Sequence, residues 1–105
     1  MNDAETNNLR LYARVLAALE SEDEAIAFLL ELCYAHELRA IAQRVGIAEL
    51  LIQGIPHIEI AEMLCDKSTG RKPSSPTISR VNVVLENGEG YLRQIVTRGS
   101  EAEGC

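Results

Sequence analysis

The side chains best suited to contacting a polyanion lie between residues 67 and 82. Lys and Arg pair with phosphates, whereas Ser, Thr and Asn bond both phosphates and base edges. Arg80 has the forked donor set that matches guanine, and Asn82 has the amide that matches adenine. This stretch predicts contacts with double-stranded DNA through Lys67, Ser68, Thr69, Arg71, Lys72, Ser74, Ser75, Thr77, Ser79, Arg80 and Asn82.

Two short helical patterns enclose the stretch and predict a helix-turn-helix over about residues 56–86. The first helix covers about 56–65 and the second about 77–86. Each places three apolar residues on one face: Ile60, Ala61, Leu64, Ile78, Val81 and Leu85. The outward residues of the second helix are then free to enter a major groove. Many helical hairpins that only pack together share this spacing, so the pattern alone leaves both readings open.

Charge divides the chain into parts. The 105 residues carry 10 Lys and Arg against 16 Asp and Glu, for a net charge of −6. Residues 1–66 have a balance of −8, residues 67–98 of +4, and residues 99–105 of −2. This distribution excludes sequence-blind coating of nucleic acid but permits local contact through 67–98. Chance unevenness over some thirty residues is the alternative. Aromatic residues make up only 4%, which argues against single-strand binding by base stacking.

Helical periodicity runs through the chain and predicts an all-α fold of about six helices in a single domain, residues 1–105. The first helix carries an apolar stripe from Leu9 to Leu19. The second begins at Glu22, after the capping-box spacing of Ser21 and Glu24. The third covers about 36–53 and ends at Gly54, and the last covers about 91–98. Residues 66–76 include no hydrophobic residue and predict a loop.

The second and third helices are apolar on two faces each. The third has one stripe that includes Ile41 and Val45, and another that includes Ile47 and Leu50. A small domain has little interior, so the extra stripe predicts a symmetric homodimer. The alternative is that later helices of the same chain cover it.

The sequence gives weak support to a metal site, a cofactor site or a catalytic site. Cys33, His36, His57 and Cys65 have irregular spacing for zinc, so buried thiols and surface histidines are the simpler interpretation. We expect no metal, no cofactor and no enzymatic activity, because neither a phosphate-binding glycine motif nor a catalytic triad is present. Three cysteines without a paired motif, Cys105 included, and no signal peptide or membrane-length apolar run predict a cytoplasmic protein.

Three segments together resemble the Trp repressor superfamily: Glu37–Val45, Ala48–Leu51 with Gly54, and Thr77–Asn82. The sequence TISRVN and the turn that follows at 85–91 are similar to its YerC/YecD-like branch. The resemblance covers about residues 20–97. It implies an intertwined helical homodimer whose fourth and fifth helices read DNA, and a sequence-specific transcriptional regulator, with repression as the expected effect.

The chain departs from this family at two places. Ala61 and Ile78 are 17 positions apart, so the turn carries roughly seven residues more than the usual motif. The extra basic residues predict an arm along phosphates or in the minor groove; a solvated loop without a role is the alternative. A turn that prevents DNA docking would leave a helical protein-interaction module.

The second departure concerns the small ligand. By resemblance, the residues that hold tryptophan fall on Gln43, Gln53 and Arg80, and only Arg80 matches. We therefore expect a regulator without tryptophan as corepressor, and the sequence leaves any other effector open.

Overall fold

The structure, a computed structural model, describes residues 1–103. Within them lie six helices and no strand: α1 (Asp3–Ala18), α2 (Glu22–Leu32), α3 (Ala35–Ile52), α4 (His57–Met63), α5 (Ser75–Asn87) and α6 (Tyr91–Glu103). The prediction of an all-α fold with about six helices is confirmed. The chain forms two compact units, residues 1–38 and the part that starts at Arg39; α3 crosses this boundary. Cys105 lies outside the described residues.

Helices α1 and α2 of the first unit begin at side-chain caps. The Asn2 side chain accepts from the backbone N–H of Glu5 at 2.8 Å, and Ser21 Oγ accepts from the backbone N–H of Glu24 at 3.0 Å. The Glu24 carboxylate in turn accepts from the backbone N–H of Glu20 at 3.2 Å. These bonds satisfy donors that the first helical turn leaves without partners. The predicted start of α2 is confirmed.

The apolar stripes of this first unit are not covered. No residue of α1 or α2 is buried. Leu9 is 50% exposed, Leu16 39% and Leu30 61%. Two amphipathic helices have therefore formed without the interior that their sequence pattern anticipates.

The second unit contains the hydrophobic core. Three helices contribute its buried residues: Ile47, Ala48 and Leu50 from α3, Ile60 from α4, and Ile78, Val81 and Leu85 from α5. Helix α4 packs on α5, and α5 packs on α6. The predicted inward residues of the helix-turn-helix are thereby confirmed, with Ala61 and Leu64 partly buried at the edge of the core.

Helix α3 buries only one of its two apolar stripes. Ile47 is fully buried and Leu50 is 8% exposed, whereas Ile41 and Val45 remain 43% and 48% exposed. Later helices of the chain thus cover one stripe and leave the other open. The helix ends at Ile52, and the predicted terminator Gly54 follows in the turn with a φ of 85°, a left-handed conformation that favours glycine.

Helix boundaries differ from the predictions at two positions that affect the site. The predicted loop 66–76 is too long by two residues, since α5 begins at Ser75. Ser74 caps the helix, and Pro76 fits its first turn, where no backbone donor is needed. Helix α6 continues to Glu103 rather than ending at Arg98. Its extension is tied to α3, because Ser100 Oγ donates to Glu49 Oε2.

Candidate nucleic-acid interface

The extended turn of the helix-turn-helix is closed by its own backbone. The N–H of Asp66 donates to the carbonyl of Arg71 at 2.7 Å, and the N–H of Gly70 donates to the carbonyl of Asp66 at 2.7 Å. Gly70 has a φ of 75°, a left-handed conformation that tolerates glycine far better than other residues. The basic stretch is therefore a defined structure, which we call the closed turn (residues 66–71).

Side chains within the closed turn reinforce it. The Asp66 carboxylate accepts from the Ser68 hydroxyl at 2.7 Å and from the Ser68 backbone N–H at 2.9 Å. These two bonds favour the ionised form, so they lower the pKa of Asp66 below its ordinary value. Their stabilisation is present at neutral pH and is lost in acid, as the pH falls through that lowered pKa. Thr69 Oγ1 accepts from the Arg71 N–H at 3.2 Å. The hydroxyls of Ser68 and Thr69 are thus engaged in holding the turn.

Two residues with contrasting environments, Lys72 and Pro73, follow the closed turn. The Lys72 side chain is exposed, and its Nζ is 3.3 Å from Glu62 Oε1 on α4. Pro73 is buried. The side chains of Lys67 and Arg71 make no hydrogen bond or ion pair with any residue in the described range 1–103. The closed turn thus presents two cations without partners in this range, and Lys72, which follows it, is a third cation held by a carboxylate.

Two of the predicted DNA-contact residues, Ser74 and Thr77, form the hydrogen bonds at the start of α5. Ser74 Oγ accepts from the backbone N–H of Thr77 at 3.3 Å and lies 2.8 Å from the Thr77 hydroxyl. Ser74 is therefore the N-cap of the helix. Ser75 occupies the first helical position and is exposed. Since Ser74 and Thr77 bond one another, their hydroxyls fix the helix start.

The outward face of α5 presents the predicted reading residues. Ser79 and Arg80 are exposed, and Asn82 is half-buried. The Arg80 guanidinium has no hydrogen-bond or ion-pair partner among residues 1–103. The opposite face carries Ile78, Val81 and Leu85 into the core. An exposed arginine on a helix held by its inner face is free to fork onto a guanine or a phosphate.

A cavity of about 560 Å³ separates α3 from α5. Its polar lining comes from Gln43, Arg44, Thr77 and Arg80; the remaining six lining residues are apolar. Two of the three positions assigned by resemblance, Gln43 and Arg80, therefore meet here. Gln53 lies instead on a smaller cavity of about 240 Å³, together with Glu49 and Ser100.

Arg44 is a cavity residue that the sequence analysis missed. Its Nε donates to the backbone carbonyl of Ala40, one turn earlier, at 3.4 Å. Helical spacing places Ala40 and Arg44 on one face of α3, but nothing along the chain indicates that this face lines a cavity shared with Arg80. Because Arg80 lines the same space, two guanidinium groups face one cavity, with no carboxylate among its lining residues.

The described residues form neither a metal-ligand cluster nor a membrane-spanning helix. No cluster of three or more His, Cys, Asp or Glu side chains able to hold a metal occurs in residues 1–103. None of the helices described is both long and apolar enough to traverse a bilayer.

One known protein family matches nearly the whole chain. A family model described as Trp repressor protein matches residues 7–100. No curated protein and no solved structure matches significantly. The match is to the family as a whole, so the YerC/YecD-like branch stays a prediction. Proteins of this kind are DNA-binding regulators rather than enzymes, and the matched range includes the α4–α5 helix-turn-helix. The chain belongs to the Trp repressor family.

Proposed function

We propose that this protein is a sequence-specific transcriptional regulator that binds duplex DNA through α5 and the closed turn. The observation that supports this most directly is the placement of Lys67, Arg71 and Arg80. All three are exposed cations without partners in residues 1–103, on a helix-turn-helix whose inner side contributes Ile60, Ile78, Val81 and Leu85 to the core. Arg80 and Asn82 contact bases, and the closed turn contacts phosphates.

The closed turn is compatible with this role because it is short and fixed. Its backbone bonds join Asp66 to Gly70 and Arg71, so the added residues fold back on themselves. The α4–α5 packing passes through Ile60 and Ile78, which are both fully buried. The added residues therefore leave the reading helix supported by the core, as major-groove docking requires.

The first prediction is salt-sensitive binding to the DNA upstream of the protein's own gene. Three phosphate contacts per protomer would weaken the association constant by about 40-fold for each half-site between 50 and 200 mM salt. Fluorescence anisotropy with a labelled upstream duplex and an unrelated duplex of equal length measures both affinity and specificity. Lack of duplex binding at low salt, across a pool of genomic fragments, would contradict the proposal. Co-purification with a protein partner and no DNA would instead support an interaction module.

We also propose that the regulator is a homodimer. The stripe on α1 and the Ile41–Val45 stripe on α3 are apolar and exposed, and such surfaces in a small protein mark interfaces. A two-fold axis buries the same stripes on both copies. The two reading helices would then meet half-sites about one helical turn apart.

A charge placed in the α1 stripe is expected to dissociate this dimer. Leu16→Lys should raise the dimer dissociation constant at least about a hundredfold, because an interface would bury an unpaired ammonium group. The matched control is Asn7→Lys, which adds the same charge on the opposite face of α1. Light scattering after size exclusion measures both. Equal behaviour of the two variants, or a monomeric parent at micromolar concentration, would refute the dimer.

We propose further that tryptophan is not the corepressor. The α3–α5 cavity carries Arg44 and Arg80 but no carboxylate, so it would repel the ammonium group of a free amino acid. Gln53, at the position assigned by resemblance to a carboxylate-binding arginine, is neutral and lies on another cavity. We expect no heat of binding when L-tryptophan is titrated in a calorimeter. A micromolar dissociation constant would overturn this.

A further inference from the structure

We propose that Glu62 is a built-in counter-ion for Lys72: it holds the ammonium group in the free protein and yields it to a phosphate when DNA binds. The inference rests on the proposed function and adds a regulatory residue to it. It is carried by the contact between Lys72 Nζ and Glu62 Oε1, at 3.3 Å.

The backbone at Lys72 is fixed on both sides. The preceding residue, Arg71, pairs with Asp66 through a 2.7 Å backbone bond. The following residue, Pro73, is buried and has a locked φ. A change of partner by Lys72 therefore needs only its four-carbon side chain to rotate, with no rearrangement of the turn.

The ion pair is exposed to solvent, so Lys72 can exchange its partner Glu62 for a phosphate. The Lys72 and Glu62 side chains are 53% and 68% exposed, and exposed pairs of this kind are weak. Lys72 also comes three residues before Ser75, where α5 begins. In a helix-turn-helix the first helix crosses the DNA backbone, so in the proposed complex phosphate oxygens beside α4, which carries Glu62, would compete for the ammonium group.

Glu62 consequently lowers the affinity of Lys72 for a phosphate. Lys67 and Arg71, without partners in the described part of the chain, are ready to bind phosphate, while Lys72 must first leave Glu62. A duplex on which α5 docks holds a phosphate close to Lys72, whereas a loosely bound duplex does not. The ion pair is therefore broken in the docked complex and stays intact under a loosely bound duplex, so Glu62 opposes docked binding more than loose binding.

The test compares Glu62→Gln with Glu59→Gln on the same duplexes. Both substitutions remove one negative charge from α4, but Lys72 forms its hydrogen bond and ion pair with Glu62 and not with Glu59. Loss of a weak ion pair corresponds to a change of up to about fivefold in affinity. On the upstream duplex, we expect Glu62→Gln to tighten binding about two- to fivefold beyond Glu59→Gln, with a smaller difference between the two variants on the unrelated duplex. In a Lys72→Ala background, the two substitutions should have equal effects.

A second readout does not involve DNA affinity. The side-chain ammonium resonance of Lys72 in the free protein should shift in Glu62→Gln but not in Glu59→Gln, and duplex addition should move the wild-type resonance. Equal effects of the two variants on affinity, or a gain that persists in the Lys72→Ala background, would overturn the inference while leaving DNA binding intact. Failure of the wild type to bind any duplex would overturn the proposed function, and this inference with it.

Discussion

Replacing Arg80 by alanine is expected to weaken specific duplex binding by about 5- to 150-fold per protomer. A forked contact to a base pair contributes about 1–3 kcal/mol of discrimination. Arg80 is exposed and has no hydrogen-bond or ion-pair partner within residues 1–103, so its removal takes no such bond from the fold. Anisotropy titrations on the operator duplex and on an unrelated duplex should show a larger loss on the operator.

Arg93→Ala is the matched control for this experiment. Arg93 is an exposed arginine on α6, outside the helix-turn-helix, so the substitution removes an equal charge without touching the proposed interface. We expect a change of less than about twofold, because only a screened long-range attraction is lost. Equal losses for Arg80→Ala and Arg93→Ala would mean that α5 does not read the DNA.

The largest expected effect on stability is that of Ile78→Ala. Ile78 is 1% exposed, at the centre of a core formed by seven buried residues. Truncating such a side chain costs about 2–5 kcal/mol through lost burial and the cavity left behind. Since small proteins are stable by only about 5–15 kcal/mol, the variant should lose a large share of its free energy of unfolding. Urea denaturation followed by circular dichroism measures the loss.

Val83→Ala provides the comparison on the same helix. Val83 is 54% exposed, and surface substitutions of this kind change stability by about 0.5 kcal/mol or less. If Ile78→Ala were no more destabilising than Val83→Ala, the packing of α5 on α3 and α4 would be incorrect. The helix-turn-helix described above would then lack its support.

The helices and the core of the second unit were predictable because both follow from a single period. Ile78, Val81 and Leu85 recur at helical spacing and all turn inward. The helix cap formed by Ser21 before α2 was equally predictable, because its partner Glu24 lies only three residues along the chain. Such signals are local, and one sequence is enough to read them.

The folded shape of the turn was harder to predict from the sequence. The lack of hydrophobic residues predicts a loop at 66–76, but it does not predict that Asp66, Ser68 and Gly70 close the turn through hydrogen bonds. An aspartate followed by serine and glycine is itself a turn signal, so part of this structure was available. The contact of Lys72 with Glu62 spans ten positions and depends on how α4 meets the turn. Spacing along the chain does not report such a contact.

Which residues line each cavity also could not be predicted from the sequence. Gln43 and Gln53 both lie on α3 or next to its end, yet they face different cavities. Which cavity each one lines depends on the placement of α5 and α6 against α3. Arg44 was overlooked for the same reason, since its neighbour Arg80 is far away in the chain.

The uncovered stripes of α1 and α2 bear on how the proposed dimer would respond to concentration. Helices of 16 and 11 residues are marginal in water without packing partners. In the proposed homodimer the interface would cover these stripes, so folding of residues 1–38 and pairing of subunits would become one equilibrium that depends on protomer concentration. Below the dimer dissociation constant, occupancy of an operator would then fall with the square of the protein's concentration.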